Sequence, residues 1–106
     1  MKRYVVSADA RADLDELWDY IVGRSSAETA ATILWRLYDS FASLAQSPSA
    51  GVAVPGLGED SARKFPVGNY LIYYRPLREK VMIWRVLHGK RIQLRELQSH
   101  PRRPRV

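Results

Sequence analysis

After a short opening apolar run, apolar residues follow a helical period, and from Ala62 the pattern changes to short apolar runs separated by turn residues. Arg3-Tyr4-Val5-Val6 is a run of β-formers and predicts a short opening strand. Ser7 then reads as a helix N-cap, with Asp9 in the first turn, where a carboxylate suits the helix dipole. Leu14, Leu17, Trp18 and Ile21 fall at i, i+3, i+4 and i+7 and form one apolar stripe. Asp13, Asp15, Glu16 and Asp19 lie mostly off that stripe, and Gly23 weakens the helix near its end. Ser25 followed by Glu28 matches a capping box, so a second helix is predicted to start near Ser26. Ala30, Ile33, Leu34, Leu37, Phe41, Leu44 and Ala45 carry its period until Ser47-Pro48 stops it. Two amphipathic helices with so short a link make an antiparallel hairpin.

Residues 47–61 hold Pro48, Gly51, Pro55, Gly56 and Gly58 and read as a long loop. Ala62 to Phe65 is a strand candidate, Pro66 to Asn69 a turn, Tyr70 to Arg75 a strong strand, and Pro76 to Glu79 a second turn. Lys80 to His88 is another strong strand, closed by Gly89. Strands joined by such short turns pair antiparallel. Arg91 to Gln98 fits either a short helix or an extended segment. A basic Pro/Arg tail follows from Ser99, over residues 99–106. The expected fold is α+β with the order β-α-α-β-β-β, a single domain over residues 1–98. A helix hairpin covers one face of a small antiparallel sheet, and the other face stays partly open. Leu14, Leu17, Trp18, Ile21, Ile33, Leu37, Phe41 and Leu44 are expected to be mostly buried.

Composition narrows the class. At 106 residues the chain suits one domain with a modest core. It has no cysteine, which removes disulfides and thiolate metal sites. The apolar run at the N-terminus is too short for a signal peptide, and Tyr70 to Tyr74 cannot span a bilayer. A soluble, cytoplasmic protein is expected. Charge is unevenly divided: residues 1–62 carry five basic and nine acidic residues, residues 63–106 twelve basic and two acidic. The C-terminal half is therefore expected to meet something anionic.

The sequence resembles the RelE/ParE toxin superfamily, and its ParE branch in particular, from about Tyr4 to Arg91. The resemblance rests on Ser7, Ala8, Ala12, Asp13, Leu14, Ile21 and the acidic helix with Trp18. It rests further on the run from Arg63 to Arg75, including Phe65-Pro66-Val67-Gly68-Asn69-Tyr70, and on the run from Ile83 to Arg91. It implies a helix hairpin on a small antiparallel sheet, and growth inhibition by the toxin of a two-gene toxin–antitoxin pair. It implies as partners a cognate, ParD-like antitoxin and DNA gyrase as target. The alternative within the superfamily is a RelE-like, ribosome-dependent messenger RNA endonuclease.

Arg63, Lys64, Arg75, Arg85, His88 and Arg91 are the candidate residues for binding a partner or target, since arginine grips carboxylate and phosphate well. Alternation puts Arg63 and Lys64 on opposite faces, and likewise Arg85 and His88, unless a bulge intervenes. Two roles are open to Arg85: a partner contact, or an internal pair with Asp13 or Glu16. A nuclease would draw on His88, Arg85 and Lys64, with His88 as acid or base. Family nucleases commonly place a tyrosine near the C-terminus, and this chain has none after Tyr74. No catalytic residue is therefore assigned. Tyr70, Tyr73, Tyr74 and Trp84 could stack on bases if exposed, or fill the interface between sheet and helices. His100 has no assigned role. No metal or cofactor is expected: the two histidines lack ligand spacing, and Gly56-Leu57-Gly58 lacks the lysine and helix of a phosphate loop.

Overall fold

Ser7 starts the first helix, and does so while still hydrogen-bonded to the sheet. Its backbone is extended, and its Oγ accepts from the Ala10 N–H at 3.0 Å. The computed structural model describes residues 3–55 and 62–89. In chain order these form β1 (Arg3–Val6), α1 (Ala8–Arg24), α2 (Ala27–Gln46), a 3₁₀ turn at Pro48–Ala50, β2 (Val52–Ala53), β3 (Arg63–Val67), β4 (Tyr70–Pro76) and β5 (Lys80–His88). The predicted α+β order holds, with one short strand added. Asp9 in the first turn and Arg24 in the last complement the α1 dipole.

The cap of α2 is one residue later than the capping box predicts. Ser26, not Ser25, is the N-cap, and its Oγ accepts from the Thr29 N–H at 3.0 Å. Ser25 is already engaged in closing α1, its N–H donating to the Ile21 carbonyl at 2.7 Å. A two-residue link thus ends one helix and starts the next, and Glu28 falls in the first turn of α2, where its charge suits the dipole.

The sheet has five strands in the order β1-β5-β4-β3-β2. β1 runs parallel to β5, and the other neighbours are antiparallel. Two sequence-based boundaries shift. Pro66 lies inside β3 rather than in the turn. Its position opposite Leu71 is the wide pair beside a two-residue hairpin, so its missing N–H faces away from β4. Gly68 and Asn69 make the turn, with φ of +58° at Gly68, the first central position, as a II′ turn requires. Part of the predicted loop is also structured, since β2 pairs with β3 at Val52–Lys64 and Ala53–Arg63. Residues 56–61, the Arg91–Gln98 segment and the tail lie outside the described residues.

Helices and sheet bury a core built on Leu14, Leu37, Phe41, Leu44, Ile72 and Ile83. Burying each such side chain contributes about 1.5–3 kcal/mol. Trp18 is the exception to the expected stripe, at 36 % exposed. The buried line of α1 runs through Ala10, Leu14 and Ile21, with Leu17 partly covered. Trp18 sits one residue, or about 100°, around the helix from Leu17 and ends on the rim. Ile33 is half-buried.

A break in alternation lies in β5. Tyr73 pairs with Arg85 and Tyr74 with Ile83, leaving Trp84 as an extra residue, a β-bulge. Ile83 and Val86 therefore both reach the helix-side core, whereas Met82 and Trp84 reach the other face.

β1 pairs with β5 only as far as Ile83. Beyond it, Ser7 and Asp13 replace the missing strand. The Ser7 N–H donates to Ile83 O at 2.9 Å and its Oγ donates to Trp84 O at 2.8 Å. The Asp13 carboxylate accepts from the Val86 N–H at 2.9 Å, from Arg85 Nε at 2.8 Å and from Arg85 Nη2 at 3.0 Å. Both side chains of this pair are nearly buried, at 7 % and 10 % exposed. Removing one partner of a buried pair leaves the other charge stranded. Asp13→Ala is therefore expected to lower the unfolding free energy by about 3–5 kcal/mol, read from urea denaturation. A loss below about 1 kcal/mol, the scale of an exposed pair, would refute this role.

Candidate functional site

The described basic candidates do not converge; the sheet distributes them over four places. Arg63 turns to the chain that leaves α2. Its Nε and Nη2 donate to Gly51 O at 3.0 and 2.6 Å, and Nη2 also donates to Ser49 O at 3.3 Å. The Tyr74 hydroxyl works on the same segment, donating to Pro48 O at 2.6 Å and accepting from the Gly51 N–H at 2.8 Å. Arg85 is held by Asp13, so of its two open roles the internal pair is the one observed. His88 packs edge-on against Tyr70, with ring centroids 5.3 Å apart. Arg91 lies outside the described residues.

Lys64 and Arg75 lie on the sheet face away from the helices. Lys64 pairs with Tyr73 and Arg75 with Met82, and Tyr73 and Met82 belong to the apolar cluster of that face. Arg3 and Lys80, opposite each other, share the same strand parity as Val5 and Met82. Four cations thus register on this outer face, around a floor of Leu71, Tyr73, Met82, Trp84 and Leu87. None of the described strands contains Asp or Glu. This face can receive an anionic, partly apolar partner, and it is the candidate site.

A second grouping escaped sequence reasoning. Burial, and then the neighbouring Tyr20 phenol, raise the Tyr70 hydroxyl above its usual pKa of 10.0. Arg24 lies over the Tyr20 ring at 5.2 Å. Arg24 and Tyr20 on α1 thus lie on the side of the molecule where Tyr70 packs against His88, with Tyr20 acting on Tyr70 through its charge. Tyr20 lies off the apolar stripe of α1, and no local signal ties it to residues fifty positions on. Of the aromatic residues considered for base stacking, Tyr73, Tyr74 and Trp84 are buried and Tyr70 is half-buried. Among the described residues the most exposed rings are instead Trp35 and Tyr20, at 69 % and 54 %. Among the described residues no group of three His, Cys, Asp or Glu could hold a metal ion.

The latch at Gly51 fixes the connector beside the site. A Cβ at Gly51 would lie 2.6 Å from both Lys64 O and the Tyr74 hydroxyl, and backbone cannot yield there cheaply. Gly51→Ala is expected to lower stability by about 1–3 kcal/mol through overpacking, and Tyr74→Phe by about as much through the orphaned Gly51 N–H. Thermal unfolding of both variants checks this, and wild-type melting in either would remove the latch from the argument.

Comparisons with known proteins agree with this geometry. The family model described as ParE toxin of type II toxin-antitoxin system, parDE, matches residues 4–93. A curated relative, toxin ParE1 of Caulobacter vibrioides, is 34 % identical over 88 residues, covering 83 % of this chain and 90 % of its own length. A chain of the chromosomal ParDE TA system from P. aeruginosa superposes with a TM-score of 0.70 over 83 % of this chain and 96 % of that one. At 20 % identity that last likeness speaks for the fold alone. The family match and the ParE1 relative together show that the chain belongs to the ParE toxin family of type II toxin–antitoxin systems.

Proposed function

We propose that this toxin arrests growth by binding and poisoning DNA gyrase in the cytoplasm, without bond-making chemistry of its own, and that a ParD-like antitoxin neutralises it in a heteromeric complex. The observation that carries the reading is the separation of the nuclease candidates. Lys64 is on the outer face, Arg85 is locked onto Asp13, and His88 lies against Tyr70. Phosphodiester cleavage needs an acid, a base and a cation within reach of one phosphate. These three residues cannot meet that demand together. Arginine also stays protonated near neutral pH, so the remaining basic groups bind anions but do not shuttle protons. A protein that acts by binding needs surface instead, and the outer face supplies cations around an apolar floor. No described helix is long and apolar enough to cross a membrane.

A second reading, RNA cleavage, draws on one specific contact. Tyr70 stands beside His88, so a tyrosine does accompany the histidine, though from β4 rather than from the C-terminus.

One experiment separates the two. Wild type and His88→Ala are induced in cells without antitoxin, and gyrase-linked DNA breaks and transcript integrity are followed together. Growth arrest with gyrase-dependent breaks, intact transcripts and a His88→Ala phenotype like wild type is the expected result. Ribosome-dependent transcript cleavage that disappears in a folded His88→Ala protein would replace poisoning with the nuclease reading.

A further inference from the structure

Among the described residues, two buried hydrogen-bond donors on the outer face find no acceptor. Arg75 Nε and the indole Nε1 of Trp84 are both buried, and neither has a hydrogen-bond partner among the described residues. Trp84 as a whole is 6 % exposed. Native structures seldom leave such groups without an acceptor. The two donors share one neighbourhood. Arg75 pairs with Met82 across β4 and β5, and Trp84 follows Met82 by two residues on the same face. Diagonal positions of this kind lie roughly 7–8 Å apart at the backbone, within joint reach of long side chains.

Their surroundings define what fits. Lys64, Arg3 and Lys80 register on the same face, and the described strands carry no carboxylate to compete. The floor between the donors is aromatic and apolar, including Tyr73 and Met82. The chain's own residues 90–106 are a poor occupant on charge, with six basic residues against one Glu.

We infer that the outer face binds an acidic, amphipathic polypeptide segment, with a carboxylate accepting from Arg75 Nε and an adjacent acceptor taking the Trp84 indole N–H. Apolar side chains of the segment cover the aromatic floor. A polypeptide suits this face better than nucleic acid does. A slim carboxylate flanked by apolar groups reaches buried donors, whereas a phosphodiester chain engages cations that stand in water. The inference rests on the proposal that an antitoxin binds this toxin, and it names the chemistry of that contact.

The donors have no acceptor among the described residues, so deleting either N–H breaks no hydrogen bond among them. Trp84→Phe deletes the N–H and keeps a ring. Arg75→Lys keeps the charge and changes the donor geometry. Arg75→Lys is expected to unfold near the wild-type temperature, and Trp84→Phe to lose only the packing of the smaller buried ring. Each should nevertheless weaken the complex with the protein encoded by the neighbouring reading frame by about tenfold, the scale of one hydrogen bond to a charged group.

An independent arm needs neither variant nor antitoxin. The wild-type chain carries ¹⁵N-labelled indoles, with Trp84 assigned by elimination using Trp18→Phe and Trp35→Phe. It is titrated with a short peptide alternating Val and Glu, with its Gln counterpart, with inorganic phosphate and with a single-stranded RNA. The Trp84 indole resonance is expected to move with the Glu peptide and not with the Gln peptide. Movement with phosphate or RNA and not with the Glu peptide overturns the proposal in favour of phosphate recognition. So does a Trp84→Phe protein that is destabilised beyond the loss of ring packing when free yet binds the neighbour's product like wild type, because the indole N–H is then structural. Failure of the wild type to bind that product at all removes the antitoxin reading, and the peptide titration then decides the donor pair alone.

Discussion

The contact between Asp13 and the bulged stretch of β5 governs how the two layers of this toxin are joined. β1 is too short to pair with the whole of β5, so a central strand would carry bare polar groups beyond Ile83. The first turns of α1 take up that demand, with Ser7 bonding Ile83 and Trp84, and Asp13 bonding Arg85 and Val86. The same atoms therefore finish the sheet, start the helix and set its angle of departure. A single carboxylate satisfying two guanidinium N–H groups and a backbone N–H is well suited to a buried place, because its lone pairs find partners. Such a pair gives limited net stability relative to an apolar contact, but breaking it is costly. Its effect is to fix where α1 lies, and with it the position of the hairpin on the core.

This joint sits within a wider separation of charge. The described carboxylates lie in the helices, apart from Glu79 in the turn between β4 and β5, while the strands hold cations and no carboxylate. The imbalance between the two halves of the sequence is thus an imbalance between layers. The hairpin is acidic and the sheet basic, and the buried Asp13–Arg85 pair joins them. The electrostatic field of such a molecule favours approach of an anionic partner to the sheet side, and repels it from the hairpin. Exposed cations spaced along strands repel one another, a modest cost that an acidic partner would relieve.

Much of the fold was legible because helical and strand periods differ so clearly here. The stripes of α1 and α2, the Ser7 cap and the hairpin of β4 and β5 all follow from residue type and spacing. What escaped was decided by tertiary contacts. Nothing in Ile83-Trp84-Arg85-Val86 signals a bulge, since no glycine marks it, yet the extra residue resets which side chains share a face. Spacing on α1 left Asp13 and Glu16 as equal partners for Arg85; the choice fell to Asp13 because β1 ends at Val6. β2 was invisible because its two residues gain their place from Arg63 and Tyr74, far along the chain. The grouping of Tyr20, Tyr70 and His88 was hidden for the same reason.

The candidate cations were legible as a set but not as individuals, and the difference has a physical cause. Arginine offers a rigid fork of donors that can satisfy several carbonyl or carboxylate oxygens at once. A protein can use that fork to close its own fold as readily as to hold a partner. Arg85 and Arg63 are used inward, on Asp13 and on the connector at Gly51. Lys64 and Arg75 stand on the open face of the sheet. Replacing Arg85 or Arg63 therefore acts first on the fold itself. Strand parity separates the groups: Arg63 shares its side with Tyr74 and the helix-facing core, whereas Lys64, one residue on, shares its side with Tyr73. One step along β3 divides a residue whose guanidinium holds the connector at Gly51 from one on the open face of the sheet.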